Sequence, residues 1–266
     1  MDLRSANTPA ADGTCGCAPL RQLATDGPPP GSGATAPCVA CPASRHCLPA
    51  GLGDRDARCL GRLTIARRRV RKGHAIFREN EHFLFLYAVR FGIFKSTLTL
   101  DAGAEQITGF HLPGDVIGFD ATPSGRHPTT ARALEDAEVC VLPYGQLTDA
   151  CAGQRDLLMR VLRLAGAELE RDHRLLALIV HTHSEQRVAA FLVGLSDRLR
   201  ERGFSPSDFL LRMTRAEIGS YLGTTLETVS RSLSAFARRG FITVHRREIH
   251  LVNIEALRAE FEAKDV

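Results

Sequence analysis

Residues 214–240, TRAEIGSYLGTTLETVSRSLSAFARRG, have the layout of two short helices joined at a glycine. Ile218 and Leu222 fall on one side of the first helix, Gly223 ends it, and Leu226, Val229 and Leu233 recur on the inner side of the second. Thr224 and Glu227 fit an S/T-x-x-E capping box, with Thr225 as a rival N-cap. Opposite the apolar positions lie Glu227, Ser230 and Arg231, near the helix end that a helix-turn-helix directs into the major groove, and Thr225 stands at the same end. Their chemistry suits base edges. Arg231 can fork onto guanine O6 and N7, Glu227 can accept from a cytosine amino group, and Ser230 can meet either kind of edge. Glu227 is read both as a cap and as the partner that positions Arg231. The next stretch, FITVHRREIHLVN (241–253), predicts a β-hairpin wing whose His245, Arg246 and Arg247 meet phosphate.

Upstream, the period is that of one long helix. Between 154 and 183, Leu158, Leu162, Ala165, Leu169, Asp172, Leu176 and Ile179 recur at alternating steps of four and three, the spacing of a seam that pairs with a copy of itself. Leu157, Val161 and Leu175 widen the stripe, which leaves open an amphipathic helix packed on its own chain. Asp172 is wrong for a stable pair. A carboxylate brought against its symmetry mate must be protonated, separated or paired. From 62 to 145, short apolar stretches are punctuated at Gly73, Gly92, Gly103, Gly114 and Gly125, which predicts antiparallel strands in a barrel or sandwich. Gly92 and Gly114 are expected at positive φ.

Composition bounds the partners. The chain has 266 residues, room for two modest domains, and its 44% apolar and 24% charged content is that of an ordinary soluble globular protein. A net charge of +4 is mild, so contact with nucleic acid must come from local arginine, as at RRRVRK (67–72) and RRGFITVHRR (238–247). The longest apolar run, LLALIV (175–180), is far short of the ~20 residues that span a bilayer, and MDLRSANTPAADG has no apolar leader core. The chain is therefore expected in the cytoplasm with no membrane partner. Its eight cysteines then suggest metal or redox chemistry over disulfides.

Three of those cysteines fall within CVACPASRHC (38–47), at C-x2-C-x5-C spacing. The C-x2-C part alone is shared with zinc sites. Cys140, in AEVCVLPY (137–144), alternates with Val139 and Val141, and a lone strand cysteine more often packs as a small hydrophobe than binds a metal. Cys59 and Cys151 are read as packing residues, and Cys15 and Cys17 as thiols of a Pro/Gly-rich disordered arm.

The order of cysteine-rich arm, glycine-punctuated barrel, long helix and winged helix-turn-helix resembles the cyclic-AMP receptor superfamily. Within it, residues 38–258 resemble the oxygen-responsive fumarate and nitrate reduction (FNR) regulators, through CVACPASRHC, EQITGFHLPGDVIGFDA (105–121), AEVCVLPY, RGFSPSDFLLRMTRAEIGSYLG (202–223) and TLETVSR (225–231). The resemblance implies an α+β fold: an N-terminal antiparallel β-barrel of the cyclic-nucleotide-binding jelly-roll type, a long dimerisation helix and a C-terminal winged helix-turn-helix. The expected divisions are a disordered arm over 1–37, a cluster-binding segment and sensory barrel over 38–153, the dimer helix over 154–183 and the DNA-binding domain over 184–266.

Cys38, Cys41, Cys47 and Cys140 match the family's ligands to one 4Fe-4S cluster per subunit, which oxygen converts to a 2Fe-2S form as the dimer is lost. The implied partners are a second copy of the chain, a TTGAT-N4-ATCAA-like palindrome in double-stranded DNA, and RNA polymerase. The polymerase would be met at the loop LDAGAEQ (100–106), where Gly103 is kept and Ala104 replaces an acidic residue. Pro128, Thr129 and Thr130 stand where cyclic-nucleotide sensors carry an Arg-Ser pair, so no cyclic nucleotide is expected. The implied role is transcriptional activation and repression, not enzymatic. A zinc- or thiol-based regulator is the alternative. An iron-sulfur enzyme is more distant, since the radical enzymes' C-x3-C-x2-C spacing is absent.

Overall fold

Between residues 66 and 143 each apolar stretch becomes a strand and each punctuating glycine a turn. The computed structural model describes residues 32–33, 38, 41–63, 65–101 and 103–262. Apart from Ser32 and Gly33, the expected 1–37 arm, with Cys15 and Cys17, lies outside the described residues. The strands are β1 (Ser32–Gly33), β2 (Ala66–Val70), β3 (Ala75–Phe77), β4 (Phe85–Phe91), β5 (Phe94–Thr99), β6 (Glu105–His111), β7 (Val116–Ile117), β8 (Thr130–Ala133) and β9 (Ala137–Pro143). One sheet runs β1-β2-β9-β4-β7 and the other β3-β8-β5-β6, with all pairings antiparallel. Their facing residues, among them Val70, Phe77, Tyr87, Val89, Phe94, Ala131, Val139 and Val141, form one core. Burying such β-branched and aromatic side chains contributes roughly 1.5–3 kcal/mol each. Gly92 has φ +81°, and a Cβ there would fall 2.6 Å from that of Ala137, so the β4–β5 turn admits only glycine.

Three helices frame the barrel: α1 (Asp54–Leu60), α2 (Tyr144–Gly153) and α3 (Arg155–His181). The α3 stripe divides between two faces. Leu157 and Val161 pack beside the cysteine segment and Leu175 packs against the C-terminal core. Leu158, Leu162, Leu169 and Leu176 stay 40–62% exposed in the single chain, with Asp172 exposed among them and Ala165 and Ile179 half-buried.

The C-terminal unit comprises α4 (Ser184–Glu201), β10 (Asp208–Leu210), α5 (Arg215–Tyr221), α6 (Leu226–Arg238), the hairpin β11 (Ile242–His245) and β12 (Glu248–Leu251), and α7 (Ile254–Glu262). Gly203 follows α4 at φ +78°, as its position in the sequence suggests. The unit docks on the barrel. Ser220 of α5 accepts a hydrogen bond from the Ile107 backbone (3.0 Å), its carbonyl accepts from Gln106, and Lys95 pairs with Glu217 at 2.9 Å. Phe110 of β6 meets Phe191 and Tyr221 edge-on or tilted, so the barrel and the C-terminal unit share one hydrophobic cluster. Among the described residues no helix is long and apolar enough to cross a membrane.

Candidate functional site

The segment CVACPASRHC folds as a tight turn because Pro42 starts a 3-10 helix, Pro42–Arg45, with Cys41 at its N-cap. The Cys41 N–H donates to the Cys38 carbonyl (3.1 Å), and the His46 and Cys47 N–H groups both return to the Ala43 carbonyl. These bonds bring three cysteines to one side. The fourth comes from the sheet: Cys140 of β9 sits between Arg67 of β2 and Ala88 of β4. Strand alternation turns Val139 and Val141 into the barrel core and leaves Cys140 on the opposite face.

Cys38, Cys41, Cys47 and Cys140 thus line one cavity, with Leu48, Ala88 and Leu142 as apolar wall and Arg67 and Arg90 as cations. Its volume is small, about 20 Å³. Burial, reinforced by the other three thiols, pushes the Cys47 pKa up to about 12. Burial likewise raises Cys140 to about 11, with Cys38 and Cys41 adding to the shift and Arg67 and Arg90 opposing it. Cys38 is raised for the same reasons, burial first and Cys41 next. With Cys38, Cys47 and Cys140 all raised, these donors become thiolates only alongside compensating positive charge. Among the described residues no group of three or more His, Cys, Asp or Glu side chains is placed to hold a metal ion. Of the remaining cysteines, Cys151 is a buried free thiol, whereas Cys59 is buried but disulfide-bonded, which corrects its reading as a packing residue alone.

The cavity is tied to two other parts of the chain by residues that carry no sequence signal. Arg160 of α3 donates to the backbone carbonyls of His46 and Cys47. On the far side, His46 lies against Gly114 in the Leu112–Asp115 turn. Asp115 of that turn is buried and accepts from Arg198 (2.6 Å) and Arg202 (2.7 Å) of the C-terminal unit, with Arg171 of α3 at 3.6 Å. Such couplings have no local spacing to betray them.

In the C-terminal unit, α5 is capped by Thr214, whose side chain accepts from the Glu217 N–H while the Glu217 carboxylate accepts from the Thr214 N–H. On α6 the N-cap is Thr225, accepting from the Thr228 N–H; the Thr224 capping box does not form, because the helix begins one residue later. The Glu227 carboxylate accepts from its own backbone N–H and from the Thr225 hydroxyl, which lowers its pKa, with Arg231 adding a weaker Coulombic pull. Arg231 itself reaches Thr228 (3.4 Å), and Ser230 accepts from Arg215 (3.2 Å). Val229 and Leu233 are buried as expected. Leu226, expected inward, is 45% exposed because the first turn of α6 projects beyond the core. The wing turns at Arg246, φ +56°, and leaves Arg246 and Arg247 exposed.

A jelly-roll barrel joined through a long helix to a winged helix-turn-helix defines a CRP-type transcription regulator, a DNA-binding protein and not an enzyme. The Crp-like helix-turn-helix domain profile matches residues 186–260, and the cyclic nucleotide-binding domain profile matches residues 67–154. The fumarate and nitrate reduction regulatory proteins of Salmonella typhimurium and Escherichia coli are each 40% identical to this chain. The two alignments cover 84% and 83% of this chain and 89% and 88% of theirs. FixK2 from Bradyrhizobium japonicum superposes with a TM-score of 0.70 at 32% identity, covering 76% of this chain and all of that one. A CooA variant from Carboxydothermus hydrogenoformans superposes at 0.61 with 20% identity, over 75% of this chain and 88% of its own, a likeness of fold alone. The chain belongs to the CRP/FNR family of transcription regulators and is FNR-like.

Proposed function

We propose that this regulator responds to oxygen, with Cys38, Cys41, Cys47 and Cys140 holding one 4Fe-4S cluster per subunit. The observation that carries the reading is that four cysteines, three from one turn and one from a strand about a hundred residues on, line a single cavity. Thiolates are the ligands such clusters take, and Arg67 and Arg90 suit the negative charge that four of them bring. When bound, the cluster would supply an oxygen-labile core that holds the cysteine turn to the barrel. The chain's own residues do the rest. The turn packs with Leu157, Val161 and Leu164 of α3, so its order bears on the exposed seam of Leu158, Leu162, Ala165, Leu169, Leu176 and Ile179, where a second copy would pair. Asp172 in that seam opposes pairing. Moving the chain from mostly monomer to mostly dimer needs a differential effect of about 5 kcal/mol.

The dimer would set two α6 helices about one helical turn apart on a TTGAT-N4-ATCAA-like palindrome, read by Glu227, Ser230 and Arg231, with Thr225 at the helix start and Arg246 and Arg247 on phosphate. The regulator would act in the cytoplasm as both activator and repressor of anaerobic genes. RNA polymerase would be met at the β5–β6 loop, where Gly103 holds the turn at φ +75°. No cyclic nucleotide is involved in this reading. The Thr129 hydroxyl is committed to Asp120 and that of Thr130 to the Glu79 N–H, and no arginine takes the phosphate-binding position.

Anaerobic purification followed by iron and sulfide counting tests the reading. About four of each per chain are expected, lost in Cys140→Ser, with dimer converting to monomer in air. Stoichiometric zinc in place of iron would overturn it. Asp172→Ala is expected to give a dimer in air; a cluster-free variant that remains monomeric would sink the seam argument.

A further inference from the structure

The contact between Arg160 and the cysteine turn joins the cavity to the helix that carries the seam. Arg160 is on the second turn of α3, one residue before Val161, which packs beneath the cysteine segment, and two before Leu162, which faces outward at 53% exposure. Its Nε donates to the Cys47 carbonyl at 3.1 Å. Its Nη2 donates to the same carbonyl at 2.7 Å and to the His46 carbonyl at 2.8 Å. Both acceptors belong to the backbone that presents the third cysteine, so the guanidinium reads the path of that backbone and not a side chain.

A planar guanidinium satisfies two carbonyls only when they stand in one arrangement, and a half-buried one that loses them is left without protein partners. Movement of Cys47 therefore costs hydrogen bonds made by α3, and movement of α3 costs hydrogen bonds made by the turn. The two positions are linked whichever moves first. A ligand held by Cys47 and a second copy held by α3 then act on one shared contact.

We propose that Arg160 is a positioning residue through which occupancy of the four-cysteine site sets the position of the α3 seam. This rests on the reading of the cysteines as a cluster site. It assigns to one side chain a coupling that the cysteines and the seam leave unexplained.

The test uses full-length Arg160→Gln and Arg160→Lys, each loaded anaerobically with iron and sulfide and, in parallel, stripped with chelator. Iron per chain, the visible spectrum and the monomer–dimer constant from analytical ultracentrifugation are measured in both states. The Gln variant is expected to take up iron as the wild type does, since all four cysteines remain. Its dimer constant should weaken roughly tenfold or more in the loaded state only, as expected for loss of hydrogen bonds to a charged group. The Lys variant, which keeps the charge without the fork, should recover part of that loss. Loaded dimers as tight as the wild type overturn the proposal, as does equal weakening in both states, which would make Arg160 a structural prop. A Gln variant that does not fold leaves the same comparison to the Lys variant, whose loaded-state constant must then fall. A wild-type chain that takes up no iron sinks the cluster reading and this proposal together, whereas the other outcomes separate them.

Discussion

Gly114 lies against His46 so closely that a Cβ on the glycine would fall 2.7 Å from the Cβ of the histidine. The obstacle is the root of a side chain, not its flexible end, and Gly114 also holds φ +97°. Gly114→Ala must displace the cysteine turn, the Leu112–Asp115 turn, or both. The expected result is a loss of about 1–3 kcal/mol in stability, measured by urea denaturation, with faster loss of bound iron in the loaded chain.

Asp115 gathers charge from three directions. Burial alone would raise its pKa, but Arg198, Arg202 and Arg171 outweigh burial and hold the carboxyl well below the usual carboxylate range. Asp115→Asn leaves buried guanidiniums without their counter-charge and should cost about 3–5 kcal/mol at neutral pH, read as a shift in the denaturation midpoint. Because the folded pKa is depressed, this stabilisation is present above about pH 4 and fades as pH falls below it. The wild-type advantage over the variant should therefore shrink in acid.

Glu168 behaves in the opposite sense. Burial, then the neighbouring Asp120 and Asp172, push its pKa up to about 8, and Arg171 only partly opposes them. One of its carboxylate oxygens, Oε2, is buried without a hydrogen-bond partner. A carboxyl raised on folding favours the folded chain below its unfolded value, and that preference is lost as pH rises from about 4.3 through about 8. The melting temperature of the cluster-free chain should fall by several degrees between pH 6 and pH 8.5, and Glu168→Gln should flatten that decline.

The residues proposed to meet DNA are expected to separate by what they read. Arg231→Ala should cost about 1–3 kcal/mol at the G·C pair of the half-site and relax preference there. Arg246→Ala with Arg247→Ala should weaken binding uniformly across sequences and reduce the slope of log affinity against log salt by about 1 per lost contact. Fluorescence anisotropy at several salt concentrations, on consensus and single-substitution duplexes, distinguishes the two patterns. Equal loss on all duplexes for Arg231→Ala would remove it from base reading.

Features that depend on neighbours along the chain were legible in the amino-acid order. Short apolar stretches with glycine turns marked the barrel, steps of four and three marked α3, and Gly223 with its flanking apolar positions marked the helix-turn-helix. The caps were legible in kind. Which threonine caps α6, and that Leu226 lies outward, depended on where the first turn meets the core. The grouping of Cys140 with Cys38, Cys41 and Cys47 came from family resemblance, because no spacing rule spans a hundred residues. The arrangement around them was decided by the tertiary structure alone: Arg67 and Ala88 flank Cys140 through strand register, and Arg160 reaches two carbonyls. Likewise His46 rests on Gly114, and Asp115 collects arginines from two helices. Periodicity assigns a face to each residue. What stands opposite that face is set by the packing of distant elements, and here that packing joins the cysteine turn to the seam and to the DNA-binding unit.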